Sequence, residues 1–417
     1  MDSWKDCVLA DLGEIVGGAT PSTKNRSYYG GDVAWITPKD LSTVQGRFIS
    51  CGERNITRDG LNSCSARLMP AHSILFTSRA PIGYVAIAKN EICTNQGFKS
   101  IVPNADTDYL FLYYLLLHNR NRIENMGNGT TFKEVSGSVM KSITVSVPSD
   151  IEEQRAIART LGSLDDKIEN NSKINHHLEQ MAQAIFKSWF VDFEPFGGEM
   201  PSDWREGTFS EVISATIGGD WGKDSPAGNN TQEIYCIRGA DIPDVNAGNK
   251  GKIPIRYILP KNYAVKQLKI GDIVVEISGG SPTQSTGRCA LITQSLLDRY
   301  DRGMVCTNFC RVVKPLAGYS PFVYFYWKYL YFQRVMFSYE NSTIGIKNLD
   351  ISGFLETEPI IIPPVGVIHH FSEAIGALID MVFVNGLENE TLATTRDTLL
   401  PRLMSGELSF ADLGDAK

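Results

Sequence analysis

Hydrophobic positions between Ile151 and Trp189 recur in alternating steps of four and three. Ile157, Leu161, Leu164, Ile168, Leu178, Ala182, Ile185 and Trp189 keep that spacing, which is the seam of a coiled coil. Adding 214 to these positions gives Phe371, Ile375, Leu378, Val382, Leu392, Arg396, Leu399 and Leu403, so the seam occurs twice. Gly162 is the only glycine or proline between Ile151 and Pro195; Gly376 holds the matching place in the second copy, where Gly386 is an addition. Two long helices are predicted.

Polar residues interrupt both seams at the same places. Asn171 and Asn175 recur as Asn385 and Asn389. A core asparagine weakens a coiled coil but fixes its register, because only one alignment lets the amides pair. An antiparallel pair would set Asn171 against Asn389 and Asn175 against Asn385. The plainer alternative is that all four are surface residues near a helix bend.

The stretches outside the seams read as mixed α/β. Short β-like runs (Val33–Ile36, Ser73–Phe76, Val85–Ile87) sit between Gly, Pro and Asn turns. Each stretch ends near an aromatic helix, Tyr109–Leu117 and Phe322–Phe332, whose rings at helical spacing are core rather than base-stacking platforms. The stretches also repeat, with a period near 200. Trp4-Lys5-Asp6 matches Trp204-Arg205-Glu206, and Leu68–Ser78 aligns without gaps on Leu268–Ser278. Ile36, Asp40 and Leu41 match Ile237, Asp241 and Ile242; Thr94-Asn95 matches Thr307-Asn308; Lys133-Glu134-Val135 matches Lys347-Asn348-Leu349. The expected organisation is two domains, 1–150 and 199–364, alternating with two helices, 151–198 and 365–417.

Composition adds little beyond this until charge is resolved along the chain. The 417 residues, 42% hydrophobic and 21% charged, describe a folded protein of more than one domain. The net charge of −7 divides into +1 for 1–150, −3 for 151–198, 0 for 199–364 and −5 for 365–417. The acid is confined to the helices. Local basic loops on the neutral domains can still meet nucleic acid, with a partner supplying much of the phosphate attraction. No basic stretch followed by an apolar run opens the chain, and no uninterrupted apolar stretch approaches the ~20 residues of a membrane span. The strongest apolar run is the one near Phe322–Phe332, and a cytoplasmic protein without membrane contact is expected. The eight cysteines form no CxxC pair and the six histidines offer no metal spacing, so reduced, mostly buried thiols and no metal are expected.

Catalytic signatures are missing. There is no GxxxxGK[ST] loop, and Gly279–Gly287 is glycine-rich only superficially. Pro363-Pro364 lacks the flanking Asn or Asp and aromatic residue of an amino-methyltransferase tetrad. Asp272 and Glu276 lack the lysine of a metal nuclease at position 278, which is Ser, and read as buried strand-end acids or solvated charges. His176-His177 and His369-His370 read as helix-surface residues. Loops rich in Arg, Lys, Gln and Asn stand out instead, residue types whose donors and acceptors fit phosphates and major-groove base edges. The DNA-binding candidates are Lys24, Arg26, Lys39, Arg79, Gln96 and Lys133 in the first copy. In the second they are Lys223, Arg238, Gln284, Arg288, Asn308 and Lys347, with Arg79 and Gln284 in matching loops.

The chain resembles the specificity subunits of type I restriction–modification systems over essentially its whole length. Gly129–Val135 (GTTFKEV), Ile151–Ile157 (IEEQRAI), Leu164–Ile168, Ala184–Phe190 (AIFKSWF) and Leu399–Leu408 (LLPRLMSGEL) carry the likeness. It departs from the family at Pro148-Ser149, where Pro-Pro is common, and at Val365–His370, where a Glu-Gln run is common. Those departures bear on where the helices start. The resemblance implies two α/β (α+β) target-recognition domains in pseudo-twofold arrangement, separated by two long antiparallel coiled-coil helices. It implies that each domain reads one half of a split double-stranded DNA target. Partners are implied too: two modification subunits that use S-adenosylmethionine to methylate adenine, and two ATP- and Mg-dependent restriction subunits. The chain itself would hold no cofactor and no catalytic residue. A solitary methyltransferase, testable by S-adenosylmethionine binding, and an adaptor with two protein-binding lobes, testable by footprinting, are the alternatives from other classes.

Overall fold

The computed structural model describes residues 4–44, 46–79, 81–128, 133–279, 281, 283–343 and 346–408. Gly129–Phe132 of the family-like motif, and Gly280 and Pro282 of the glycine-rich loop, lie outside the described residues. Two compact units are present, Met1–Glu169 with Leu392–Lys417, and Asn170–Thr391. The two long helices run Ile151–Phe190 and Val365–Met404. Each helix is shared between the units, so the unit boundaries fall inside the helices.

The first unit is built on a five-stranded sheet in the order Gly13–Gly17, Lys99–Pro103, Ile74–Ser78, Ile82–Ala88, Phe48–Ile49. Trp35–Ile36 and Cys93–Thr94 make a separate parallel pair, and Trp4–Val8 pairs antiparallel with Thr144–Pro148. The aromatic helix Tyr109–Asn125 covers one face of the sheet, burying Phe111, Leu112 and Tyr114 against Ile74, Phe76 and Ile101. Asp108 caps that helix by accepting from the Phe111 amide at 2.9 Å. Ile157, Ala158 and Leu161 of one long helix and Leu403 and Met404 of the other complete the same core. Asp165 is buried between them, accepting from Tyr114 Oη at 2.5 Å and from Arg396 Nη1 at 2.6 Å.

The second unit repeats this plan. Its sheet runs Ile213–Gly218, Cys310–Pro315, Ile273–Glu276, Cys289–Leu291; Gln232–Ile237 is parallel to Met304–Cys306; Arg205–Thr208 closes against Pro359–Ile362. The helix Ser320–Phe332 buries Phe322, Phe325 and Trp327 in a cluster with Ala182, Phe186, Phe190, Phe371 and Ile375. Both aromatic helices are therefore core, as their spacing predicts. Lys328 is buried on this helix, and its ammonium pairs with Glu179.

Three sequence expectations need correction. The run Leu68–Ser78 does not match Leu268–Ser278 residue for residue. Met69 N donates to Ile92 O, and Leu268 N to Met304 O; Ile74 pairs with Ile87 and Ile101, and Ile273 with Leu291 and Val313. The true offset is thus 199, one less than the alignment gives, and a one-residue slip turns every strand side chain to the other face. The corrected register sets His72, at φ 68°, on Gly271, at φ 85°: one left-handed turn, filled once by an imidazole stacked on Tyr109 and once by glycine. Similarly, Ala19 N donates to Thr94 O where Asp220 N donates to Cys306 O, so Thr94 matches Cys306 and Gln96 matches Asn308. Third, the apolar window that satisfies a membrane span by length and composition lies in Val365–Met404, not near Phe322–Phe332. Ile368, Phe371, Ile375, Val382 and Phe383 of that helix are buried in the second unit.

Candidate nucleic-acid interface

In the first unit, backbone hydrogen bonds gather several loops at one end of the sheet. Ala19 N donates to Thr94 O (3.0 Å), Ser78 N to Gly97 O (2.7 Å) and Val135 N to Ser78 O (3.0 Å). Gly18 is required here, since a Cβ would lie 2.1 Å from Asn95 O. Four of the predicted residues come together as a result. Arg79 Nη1 lies 3.4 Å from Glu134 Oε2, Gln96 Oε1 accepts from Thr20 Oγ1, Lys133 stands exposed beside Glu134, and Lys39 pairs with Glu53 at 2.6 Å on the adjoining helix. Lys24 and Arg26 are exposed on the loop that leaves Gly18 and form no ion pair among the described residues. Asn25 shapes that loop by accepting from Ser27 N at 3.1 Å, and the Arg54 guanidinium sits 3.6 Å over the Tyr29 ring beside it.

The second unit gathers the same loops by the same bonds. Asp220 N donates to Cys306 O (2.8 Å), Ile277 N to Phe309 O (2.9 Å) and Leu349 N to Ile277 O (2.8 Å). A Cβ on Gly219 would lie 2.0 Å from Thr307 O, the counterpart of the Gly18 contact. Asn308 and Gln284 are exposed there, Gln284 in a turn whose Ser281 Oγ accepts its amide at 3.1 Å. Lys223 is exposed, its backbone exchanging bonds with Tyr257 at 2.9 and 3.0 Å. Next to it Arg256 stacks 4.0 Å from the Trp221 ring, and Phe309 is 53% exposed between the loops.

Three other predicted residues in this unit are engaged internally. Arg238 makes a bidentate pair with buried Asp241 (2.8 and 2.9 Å) and donates to Lys252 O. Arg288 does the same with buried Glu276 (2.6 and 2.8 Å), and those hydrogen bonds push its already high pKa further up. Lys347 pairs with Glu340 at 2.9 Å over the Phe337 ring. Donors held on buried carboxylates are held in place but partly consumed. Arg288 and Glu276, and Lys347 and Glu340, meet only through the sheet, so the sequence does not announce them, whereas Arg238 and Asp241 pair locally, three residues apart. Asp272 and Glu276 are buried strand-end acids, Asp272 being satisfied by Lys314 at 2.8 Å. Among the described residues no group of His, Cys, Asp and Glu is arranged to hold a metal ion.

Within the second unit the seam asparagines meet as an antiparallel pair requires. Asn171 Nδ2 donates to Asn389 Oδ1 (3.0 Å) and Glu388 Oε2 (2.7 Å), and Asn385 Nδ2 donates to Asn175 Oδ1 (2.8 Å). Asn175 Nδ2 has a further use, donating to Val382 O (2.9 Å) and Ala247 O (3.1 Å).

Comparison with known proteins places this geometry in context. A family model described as the type I restriction modification DNA specificity domain matches residues 1–180. The chain is 34% identical to the MjaIX type I restriction enzyme specificity subunit of Methanocaldococcus jannaschii, over 98% of this chain and 94% of that one. It is 23% identical to the HindI specificity subunit of Haemophilus influenzae, over 98% and 100%. A solved specificity subunit of a type I restriction–modification system from M. genitalium has the same fold, with TM-score 0.54 at 18% identity over 96% of each chain.

Proposed function

Because the chain belongs to the specificity subunits of type I restriction–modification enzymes, a non-catalytic family, we propose that it reads a two-part DNA target, one part with each unit. The observation that carries this is the duplication of the sheet end. Two sets of loops, tied by the same backbone bonds and pinned by Gly18 and Gly219, present Lys, Arg, Gln and Asn side chains. Duplicated readers suit a target in two halves. Lys24, Arg26 and Lys133 in one unit and Lys223 in the other are exposed and would meet phosphates, which position a protein without reading sequence. Gln96 and its structural counterpart Asn308 carry the amides suited to adenine, and Gln284 adds a third.

Methyl transfer and cleavage belong to partners in this reading. Two modification subunits bring S-adenosylmethionine and methylate adenine; two restriction subunits bring ATP and Mg. The near-neutral recognition segments make DNA binding by the isolated chain weak, so the partners also supply phosphate attraction. Its place of work is the cytoplasm, with the host DNA.

The test is to express the chain with its modification subunit and sequence the methylated sites. A two-part motif is expected, and exchange of residues 199–364 for a relative's segment should change one half only. Methyl transfer by the purified chain alone, or both halves changing together, would overturn the reading.

A further inference from the structure

The corrected register brings a difference between the two sheet ends into view. In the first unit Arg79 and Glu134 form a β-bridge, and Lys99 pairs with Gly17 in the edge strand. In the second unit the same backbone places hold Ser278 against Asn348, and Arg311 against Gly218. The trio Arg79, Lys99 and Glu134 therefore becomes Ser278, Arg311 and Asn348. Glu134 lies 3.4 Å from both Arg79 and Lys99. Its counterpart Asn348 is neutral and accepts from Ser278 Oγ at 2.6 Å.

Arg311 is thus a cation from whose place the acid has been removed. It stands on the same strand face as Val313, toward Leu349 and Ile351, and two residues from exposed Phe309. Its side chain is half-buried, its Nε is closed off from solvent without a hydrogen-bond partner, and it makes no ion pair among the described residues. Two carboxylates of this sheet end are committed elsewhere: Glu276 to Arg288, and Glu340 to Lys347 and to the Thr286 amide. A buried guanidinium donor is rarely left unpaired, because desolvating it without compensation is costly. The Nε itself is out of reach of solvent, so an acceptor from outside the chain can meet this guanidinium only through its Nη groups.

We propose that Arg311 is a cation through which the second unit grips the DNA of its own half-site, and that a neutral residue at position 348 keeps it available. This rests on the DNA-reading function above and names a residue that function did not include. The acceptor is a DNA oxygen or nitrogen, on a phosphate or on a guanine edge.

The experiment uses the complex of the chain with its modification subunit, DNA carrying its own methylated motif, and the Arg311→Gln and Asn348→Glu variants. Arg311→Gln should weaken binding about tenfold and leave the first half-site unchanged. A phosphate contact will also lower the salt slope by about one; a guanine contact will instead relax one base of the second half-site. Asn348→Glu keeps the arginine and restores the acid found in the first unit, so it should lose affinity in the same direction. Arg311→Lys should recover most of any phosphate-borne affinity. Thermal melting of each variant separates misfolding from lost contact: a variant that melts like wild type yet binds weakly supports the proposal. Arg311→Gln and Asn348→Glu with unaltered affinity, salt slope and motif would overturn it. If the unmodified complex yields no two-part motif, the general function fails before Arg311 is in question.

Discussion

In the first unit the turn at Gly46–Arg47 is fastened to a long helix by charge alone, whereas in the second the corresponding turn at Gly248 adds a direct approach of backbone to backbone. Arg47, with a side chain only 5% exposed, donates from its backbone N and its Nε to Glu169 Oε1 (3.0 Å each), pairs with Asp166, and reaches Gly162 O. Gly248 presses its backbone on Gly386, where a Cβ would lie 1.8 Å from the Gly248 oxygen. Asn175 holds Ala247 O, and Arg299 pairs with Glu390 at 2.5 Å. Both turns are left-handed, at φ 85° and 80°. The duplication has kept the place of the contact and an arginine–carboxylate pair at it, but only the second unit brings backbone against backbone. The additional Gly386 of the second seam is explained by this close approach rather than by any need for a bend.

The contrast can be broken most forcefully at Gly386. Gly386→Val drives a branched side chain into the Gly248 backbone and should destabilise the second unit by about 3 kcal/mol. Buried thiols report which unit opens. Burial pushes Cys289 and Cys306 in the second unit, and Cys93 in the first, up to about 12. Alkylation under mild denaturant should therefore reach Cys289 and Cys306 first in this variant. Early labelling of Cys93 instead would show that the units do not open separately.

Arg47→Met should have the next largest effect, about 2 kcal/mol, because charged hydrogen bonds are lost while Asp166, whose side chain is 72% exposed, returns to water. Here Cys93 should be labelled first. Alkaline unfolding extends the comparison. A thiol whose pKa is higher folded than unfolded stabilises the native state below the unfolded value, near 9, and that contribution is lost as pH rises toward 12. The second unit buries four such thiols and the first buries one, so the second should lose more stability over that window, as followed by its near-UV signal.

The seam asparagines give a smaller, signed effect. Asn171→Leu with Asn389→Leu replaces a buried amide pair with apolar packing and should raise stability by about 1 kcal/mol. Asn175→Leu with Asn385→Leu should lower it by a similar amount, since Ala247 O loses its donor. Differential melting of the two double variants decides whether they differ in sign. Lys39→Ala should leave melting unchanged, because Lys39 and Glu53 pair with side chains 74% and 71% exposed.

Sequence alone went furthest in the helices. A polar residue at a seam interrupts a spacing that is otherwise apolar, so the paired Asn positions are legible from period alone, while the antiparallel direction came from the family resemblance. The strand register was not. Ile74–Ser78 and Ile273–Glu276 are buried on both faces, so neither strand alternates apolar with polar, and two offsets one residue apart fit equally well. The loop residues were legible as a class, since Gln, Asn, Lys and Arg cluster between strands. Which of them stand free was not, because Arg288 meets Glu276, and Lys347 meets Glu340, only once the strands that carry them are paired. Arg311 and Lys99 escaped notice because they sit within strands, where a charged residue ordinarily marks an edge or an outer face.

Leu403 and Met404, which follow the last residue of the second unit, belong to the core of the first unit, whereas the second unit is one unbroken stretch, Asn170–Thr391. On the ribosome the order of synthesis is therefore not the order of completion. The unit that emerges first must wait, its helix face bare of Leu403 and Met404, until the final turns of the second long helix are made. The later unit can close as soon as residue 391 has cleared the exit tunnel.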